Sequence, residues 1–324
     1  MKKYLYIIIC ICLVQGKLYA QDPLFSQFFK SPMTINPSLL GNDMEKDYKV
    51  ALITRNKWWG ENSKPFTTNA ISVEKQITTN TNYFNLLYIG VQMLNERSGD
   101  GVLTNSYFGA TINDKIKITE KDFLSSALSF SYANRLVDMN AATFQSQFGS
   151  FGFMPTAINY DPISLVSNKY FDMNAGLSLD HFINNNVNYQ LGFALFHVNK
   201  PSQSVVNKDG YRLDMRSVIN GSLNYSINNL SSVYIGSNVQ RQGEDQIFTI
   251  GGNYMHQFAD QNRLRLTLGL WNRVNEAVYP YLGLKYNDLN IGLSYDIPTK
   301  ELRSRVSSAS SIEANLTWDF GKQN

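Results

Sequence analysis

The chain has 324 residues and a net charge of +3; charged residues make up 17% of it and Phe, Trp and Tyr 13%, against ~25% charged in an average soluble domain. So small a positive balance, with no Lys/Arg cluster, excludes nucleic acid as an expected partner. Both cysteines, Cys10 and Cys12, fall in the leader, which excludes a disulfide or cysteine-ligated metal from the mature protein.

Residues 1–20 read as a signal peptide. Lys2 and Lys3 precede an apolar run from Tyr4 to Val14, and Leu18-Tyr19-Ala20 places a small residue at the cleavage point. The run is too short for a spanning helix, which needs roughly 20 apolar residues.

The next stretch is QDPLFSQFFKSPMTINPSLLG, residues 21–41. Pro23, Pro32 and Pro37 keep it out of a sheet interior, Phe25, Phe28 and Phe29 offer apolar anchors, and Gln21, Gln27 and Asn36 offer hydrogen bonds. Residues 21–47 are therefore expected to plug or brace, from the periplasmic side, whatever 48–324 builds.

From Tyr48 onward the pattern has a period of two. In DLNIGLSYDIP, Leu289, Ile291, Leu293, Tyr295 and Ile297 oppose Asn290, Gly292, Ser294 and Asp296. FDMNAGLSLDHFI sets Phe171, Met173, Ala175, Leu177 and Leu179 against Asp172, Asn174, Gly176, Ser178 and Asp180. Such alternation predicts strands with one apolar and one polar face. Fourteen are expected, near 48–58, 67–77, 86–98, 103–119, 122–139, 170–183, 187–202, 211–228, 231–243, 245–259, 263–276, 277–287, 289–298 and 310–320. Short polar turns (INNN, INNLS, FADQN, YNDL) alternate with connections that include WGENSKPF, NERSGDGV, the stretch from Asn140 to Lys169, KPSQSVVNKDG and PTKELRSRVSSAS. Strand length, alternation and this two-sided loop pattern predict an all-β fold, a transmembrane antiparallel β-barrel of about 14 strands in the outer membrane. Trp58 and Trp271 near outer strand ends and Trp318 near an inner end are expected in aromatic girdles. The closing strand SIEANLTWDF ends on an aromatic, Phe320.

Chemistry is sparse. The histidines, His181, His197 and His256, show no metal spacing. His197 and Ser202 lack a nucleophile elbow, and capping of strands or loops is the expected role. No catalytic, cofactor or metal site is expected, and the chain is not expected to be an enzyme. Fourteen strands enclose more space than the eight that side chains can fill, and less than the sixteen to eighteen of an open porin. The expected inward residues mix signs, with Asp172, Asp180, Asp296, Glu313 and Asp319 beside Arg263, Arg265, Arg273 and Lys285. Mixed charge suits pairing with an internal segment better than a selective pore, although a channel or hydrophobic-solute transporter on the same wall remains the alternative.

The opening stretch resembles the mature start of PorP/SprF family proteins, outer-membrane components of the type IX secretion system of Bacteroidota. Gln21, Asp22, Pro23, Phe25, Ser26, Gln27, Asn36, Pro37 and Gly41 carry the likeness. It continues in RNKWW with KPF (Arg55, Asn56, Trp58, Trp59, Pro65, Phe66), SGDG (Gly99, Asp100, Gly101), FHVNKPS (His197, Pro201), GLWNR (Gly269, Trp271, Arg273) and GLSYDI (Gly292, Ser294, Tyr295, Asp296). Ser38 and Leu40 stand where the family usually has alanines, and Lys57 where glutamine is common. The resemblance implies a non-enzymatic barrel that binds and anchors a secreted cargo protein, of the cell-surface adhesin type, through its C-terminal sorting domain. It also implies a link to gliding motility and contact with periplasmic ring or motor components, besides outer-membrane lipid. Loops on a rigid scaffold are where recognition concentrates, and aromatics and arginines are its usual anchors. The candidate contacts are Trp58, Trp59, Pro65, Phe66, Asp100, Phe148, Phe151, Arg303 and Arg305.

Overall fold

A computed structural model describes residues 22–42, 47–59, 65–77, 85–99, 102–138, 144–150, 152–154, 157, 167–204, 211–258, 263–305 and 310–321. The first five strands are β1 (Tyr48–Lys57), β2 (Phe66–Gln76), β3 (Asn85–Ser98), β4 (Leu103–Lys117) and β5 (Asp122–Val137). A two-stranded hairpin of β6 (Phe148–Gly149) and β7 (Gly152–Phe153) interrupts the series. It resumes with β8 (Ser167–Asn184), β9 (Val187–Phe196), β10 (Arg216–Ser226), β11 (Ser231–Gln242) and β12 (Asp245–Gln257). It ends with β13 (Leu264–Arg273), β14 (Ala277–Tyr286), β15 (Leu289–Pro298) and β16 (Ser311–Phe320). Apart from the small hairpin, each strand pairs antiparallel with its neighbours in sequence, and β5 pairs with β8. The sheet closes where β1 meets β16, with Tyr48 opposite Phe320 and Arg55 opposite Glu313. The wall is thus a closed barrel of fourteen strands.

Alternation makes the wall inside-out relative to a soluble protein. Leu52, Ile71, Val91, Phe130, Leu177, Ile219, Leu268, Leu282, Ile291 and Leu316 are exposed on the outer face. Ser72, Asn113, Lys115, Asp172, Asn238, Thr267, Glu313 and Thr317 are buried on the inner one. An apolar exterior on a closed sheet, whose strands pair their backbones with one another, is what a hydrocarbon solvent demands. No described helix is long and apolar enough to cross a membrane.

An even number of strands puts Tyr48 and Phe320 at one end, here the turn end. Its connections include Asn185–Asn186 and Asn287–Asp288, with Asn287 in the left-handed region. The opposite, loop end carries the long connections 138–166, 197–215 and 299–310, beside tight ones at Gly243–Glu244 and 274–276. The 299–310 connection holds a short helix, α1 (Lys300–Arg305).

Three expectations need correction. The strand from 187 ends at Phe196 rather than 202, because His197 and Lys200 take left-handed backbone angles ahead of Pro201. The strand expected from 211 begins at Arg216. Neither Trp271 nor Trp58 faces a lipid girdle: the parity of β13 turns Trp271 inward, where it is 1% exposed, and Trp58 packs edge-on to Phe66 in a recess at the barrel mouth. Trp318 does face outward, 4.8 Å from Phe320, which stacks on Tyr48 at 5.1 Å.

Candidate functional site: the filled lumen and its loop-end mouth

Residues 22–42 lie inside the barrel as three short 3-10 turns, Phe28–Lys30, Pro32–Thr34 and Pro37–Leu39. Pro32 and Pro37 each open a turn, a position where a missing N–H costs nothing. The segment begins near the loop end and descends to join β1 at the turn end.

At the top, Asp22 Oδ2 lies 2.7 Å from His197 Nε2 and 3.1 Å from Arg216 Nε. His197 Nδ1 lies 2.9 Å from Asp172 Oδ1. With a carboxylate on each nitrogen, both ring nitrogens donate and the ring is an imidazolium. Burial by itself lowers the His197 pKa, but Asp22 and Asp172 outweigh it and raise it to about 9. For Asp22, burial raises the pKa, yet the charges of His197 and Arg216 hold it well below the usual carboxylate range.

One turn down, Glu313 accepts the backbone N–H of Ser26 and of Gln27, each at 2.7 Å. Ser26 Oγ donates to Asp296 at 2.7 Å and accepts from Arg273 at 2.9 Å. Asp296 also pairs with Arg55 at 2.7 Å, and Arg55 donates to the carbonyl of Leu24 at 2.6 Å. Gln27 donates to Ser294 Oγ and to the carbonyl of Glu313, and accepts from Asn315. Buried charges persist only when paired and hydrogen-bonded; here the internal segment supplies part of that pairing.

Below lies an apolar core that the barrel wall could not make alone. Phe28 packs edge-on to Trp271 at 5.1 Å, and Phe29 stacks on Trp271 at 4.9 Å. Ile35, Ala194, Phe196, Val218, Tyr279 and Tyr281 complete the buried cluster. Phe25 packs with Ile53 and Ala70, and Met33 and Leu40 pack with Leu86 and Tyr88. Asn36 donates to the Leu177 carbonyl and to Asn220 and accepts from the backbone and hydroxyl of Ser38. It sits against Gly176, where a Cβ would collide with its side chain. Gly41, at φ +73°, turns the chain beneath Tyr88, an angle that glycine adopts without strain.

Above the segment is a recess of about 280 Å³. Lys57, Trp58, Phe66, Glu96, Tyr107 and Arg135 line it, with Asp22 and Leu24 in its floor. Trp58, at φ +61°, meets Phe66 edge-on at 5.2 Å and carries Lys57 Nζ 4.7 Å above its ring. Arg135 donates to Gln203 at 2.8 Å and keeps its buried Nε without a hydrogen bond. An aromatic pair beside two cations and two carboxylates can receive a side chain that is apolar or polar.

The expected contact residues therefore divide. Trp58 and Phe66 come together at this mouth, Pro65 is half-buried next to Phe66 in the chain, and Trp59 is 59% exposed and does not line the recess. Phe148 is 64% exposed and lies 5.4 Å from Phe153 in the β6–β7 hairpin. Arg303 is exposed on α1, which also contains Arg305. Gln21, Asp100 and Phe151 lie outside the described residues. Pro23 is half-buried, and Asp22, Phe25, Ser26, Gln27, Asn36, Pro37 and Gly41 all meet the inner wall or its recesses. Arg216, Gln242, Asn220 and Asn315 also hold the segment; inward parity is their only sequence signal. No group of His, Cys, Asp or Glu suited to a metal occurs among the described residues.

Residues 17–318 match the family described as type IX secretion system membrane protein PorP/SprF. No curated protein sequence matches the chain. Among solved structures, the toluene transporter TbuX of Ralstonia pickettii superposes with a TM-score of 0.54 at 11% identity, over 90% of this chain and 94% of that one. The toluene transporter TodX of Pseudomonas putida does so with a TM-score of 0.52 at 10% identity, over 93% and 95%. Likeness at this identity is one of fold.

Proposed function

The chain belongs to the PorP/SprF family of type IX secretion system membrane proteins, and from that membership we propose that it holds a secreted cargo protein at the cell surface through the cargo's C-terminal sorting domain. It is an outer-membrane β-barrel of type IX secretion. The observation that carries the reading is the mouth: a recess of about 280 Å³ framed by Trp58, Phe66, Lys57 and Arg135, floored by the chain's own N-terminal segment. A floored recess suits reception of a protein segment better than passage of a solute. Residues 1–20 act as the signal peptide, 21–47 as the plug and 48–324 as the barrel, with the long loops outside the cell. A cargo of the surface-adhesin type and a link to gliding rest on the family resemblance alone.

The test is site-specific photocrosslinking in intact cells, with a crosslinking amino acid at Trp59, Phe66 or Phe148 and, as a control, at lipid-facing Leu268. Capture of one large secreted protein at the loop-end positions, and not at 268, is expected. Capture of no secreted protein at any of the three would sink the cargo reading, and solute-gated conductance of the intact barrel would favour a transporter.

A further inference from the structure

The turn end of the lumen holds a second group of charges that the plug network does not use. Lys49, Arg265 and Lys285 all point inward near the ends of β1, β13 and β14, and Lys30 of the internal segment comes down among them. Arg265 stands directly opposite Lys285 in the ladder, and like charges facing each other across a sheet destabilise it. Among the described residues two ion pairs offset the group, Lys49 with Glu74 at 3.7 Å and Lys285 with Asp319 at 3.4 Å. Lys30 and Arg265 have no carboxylate within pairing distance among the described residues; Arg265 makes one hydrogen bond, to Gln257 at 3.3 Å. Burial first, and then repulsion by Lys49, pulls the Lys30 pKa down to about 8, although Asp319 opposes this. The lysine is held in a place that disfavours its charge.

A cationic surplus of this kind is stable when an anion completes it. The cluster is reachable from the turn end, since the side chains of Lys49 and Lys285 keep about a fifth of their surface in solvent. Because it lies inside the wall, lipid headgroups outside the barrel do not reach it. We propose that this turn-end mouth is a docking site for an acidic segment of a protein partner on the periplasmic side, bound by Lys30, Arg265 and Lys285. The inference rests on the barrel's orientation in the outer membrane and not on cargo capture at the opposite mouth, so either can fail alone.

The experiment uses the full mature barrel in detergent and a fluorescein-labelled glutamate decapeptide, followed by anisotropy. Binding that weakens as salt rises is expected, with a loss of roughly fivefold for each of Lys30→Gln, Arg265→Gln and Lys285→Gln, as about 1 kcal/mol per lost ion pair implies. Lys121→Gln, an exposed lysine on a connection at the same end, is expected to bind as the wild type does. Heat-modifiable mobility on gels monitors folding, and Lys30→Gln, which leaves the wall untouched, covers the case in which a wall variant fails to fold. Equal affinity in a folded Lys30→Gln variant would overturn the proposal. So would equal binding of a glutamine decapeptide, or competition by inorganic phosphate at the peptide's own concentration, which would mark a general anion site. Binding that appears only after Asp43→Asn and Glu45→Gln would also overturn it, by assigning the cations to the chain's own linker.

Discussion

His197 shows how one side chain ties a sequence motif to the internal segment. Its folded pKa of about 9 exceeds the ordinary 6.5, so the stability it lends is complete below about pH 6.5 and is lost as pH rises through 9. At 1.36 kcal/mol per unit, this amounts to roughly 3 kcal/mol. Asp22 has the opposite sign: its depressed pKa makes its contribution complete above 3.8 and lost as pH falls below that value. Lys30, lowered to about 8, penalises the folded state while charged and relieves it as pH rises. The informative quantity is therefore the difference between wild type and His197→Ala. That difference in melting temperature is expected to shrink between pH 7 and 10, and a constant difference would remove the imidazolium from the account. Asn36 gives a second prediction. Its amide makes four hydrogen bonds in a buried site, so Asn36→Ala is expected to cost ~1–3 kcal/mol, read as a lower denaturant midpoint.

The internal segment and the wall are mutually dependent elements. Phe25, Phe28, Met33, Ile35 and Leu40 are buried only because the barrel surrounds them, at ~1.5–3 kcal/mol each. In return, the segment gives Glu313 two backbone donors and Asp296 a hydroxyl. Deleting residues 22–42 is expected to lower the unfolding temperature of the barrel as well as empty it. Adding the segment back as a free peptide is expected to restore part of the loss, and a truncated barrel as heat-stable as the intact one would show that the wall needs no filling. Gly176→Val attacks the same interface from the wall, because its side chain would occupy the space of the Asn36 amide. Protease cleavage within 22–42 is expected in that variant and not in wild type.

For the whole molecule the issue is whether fourteen strands enclose a pore. Such a wall leaves more room than side chains alone can fill, and residues 22–42 take up that room in three turns. The intact protein is expected to be silent in planar bilayers, and the 22–42 deletion to conduct. Steady conductance by the intact barrel would favour the channel alternative. The two mouths also differ in character: aromatic pairs and mixed charge at the loop end, surplus lysine and arginine at the turn end. That asymmetry suits a scaffold with a different partner on each side of the membrane.

The wall was legible in the sequence because alternation is local. Each strand's pattern reports its own two faces, so Leu289 to Ile297 could be placed outward, and strand number and closure followed by counting. The 3-10 turns and α1 were not legible, since elements of three to six residues carry no period. Nor was the inward turn of Trp271, where one residue of parity outweighs the usual place of tryptophan at a membrane border. Alternation turned Arg273 and Asp296 inward, whereas Arg55, His197 and Trp271 joined the opening motif only as scattered likenesses to a family. Only the tertiary structure brings these residues together, because Ser26 meets Asp296 across 270 positions and no sequence pattern encodes a contact at that range. Backbone alternation thus determined the barrel from sequence alone; what fills it was decided by barrel closure, which buries charges that the N-terminal segment is placed to satisfy.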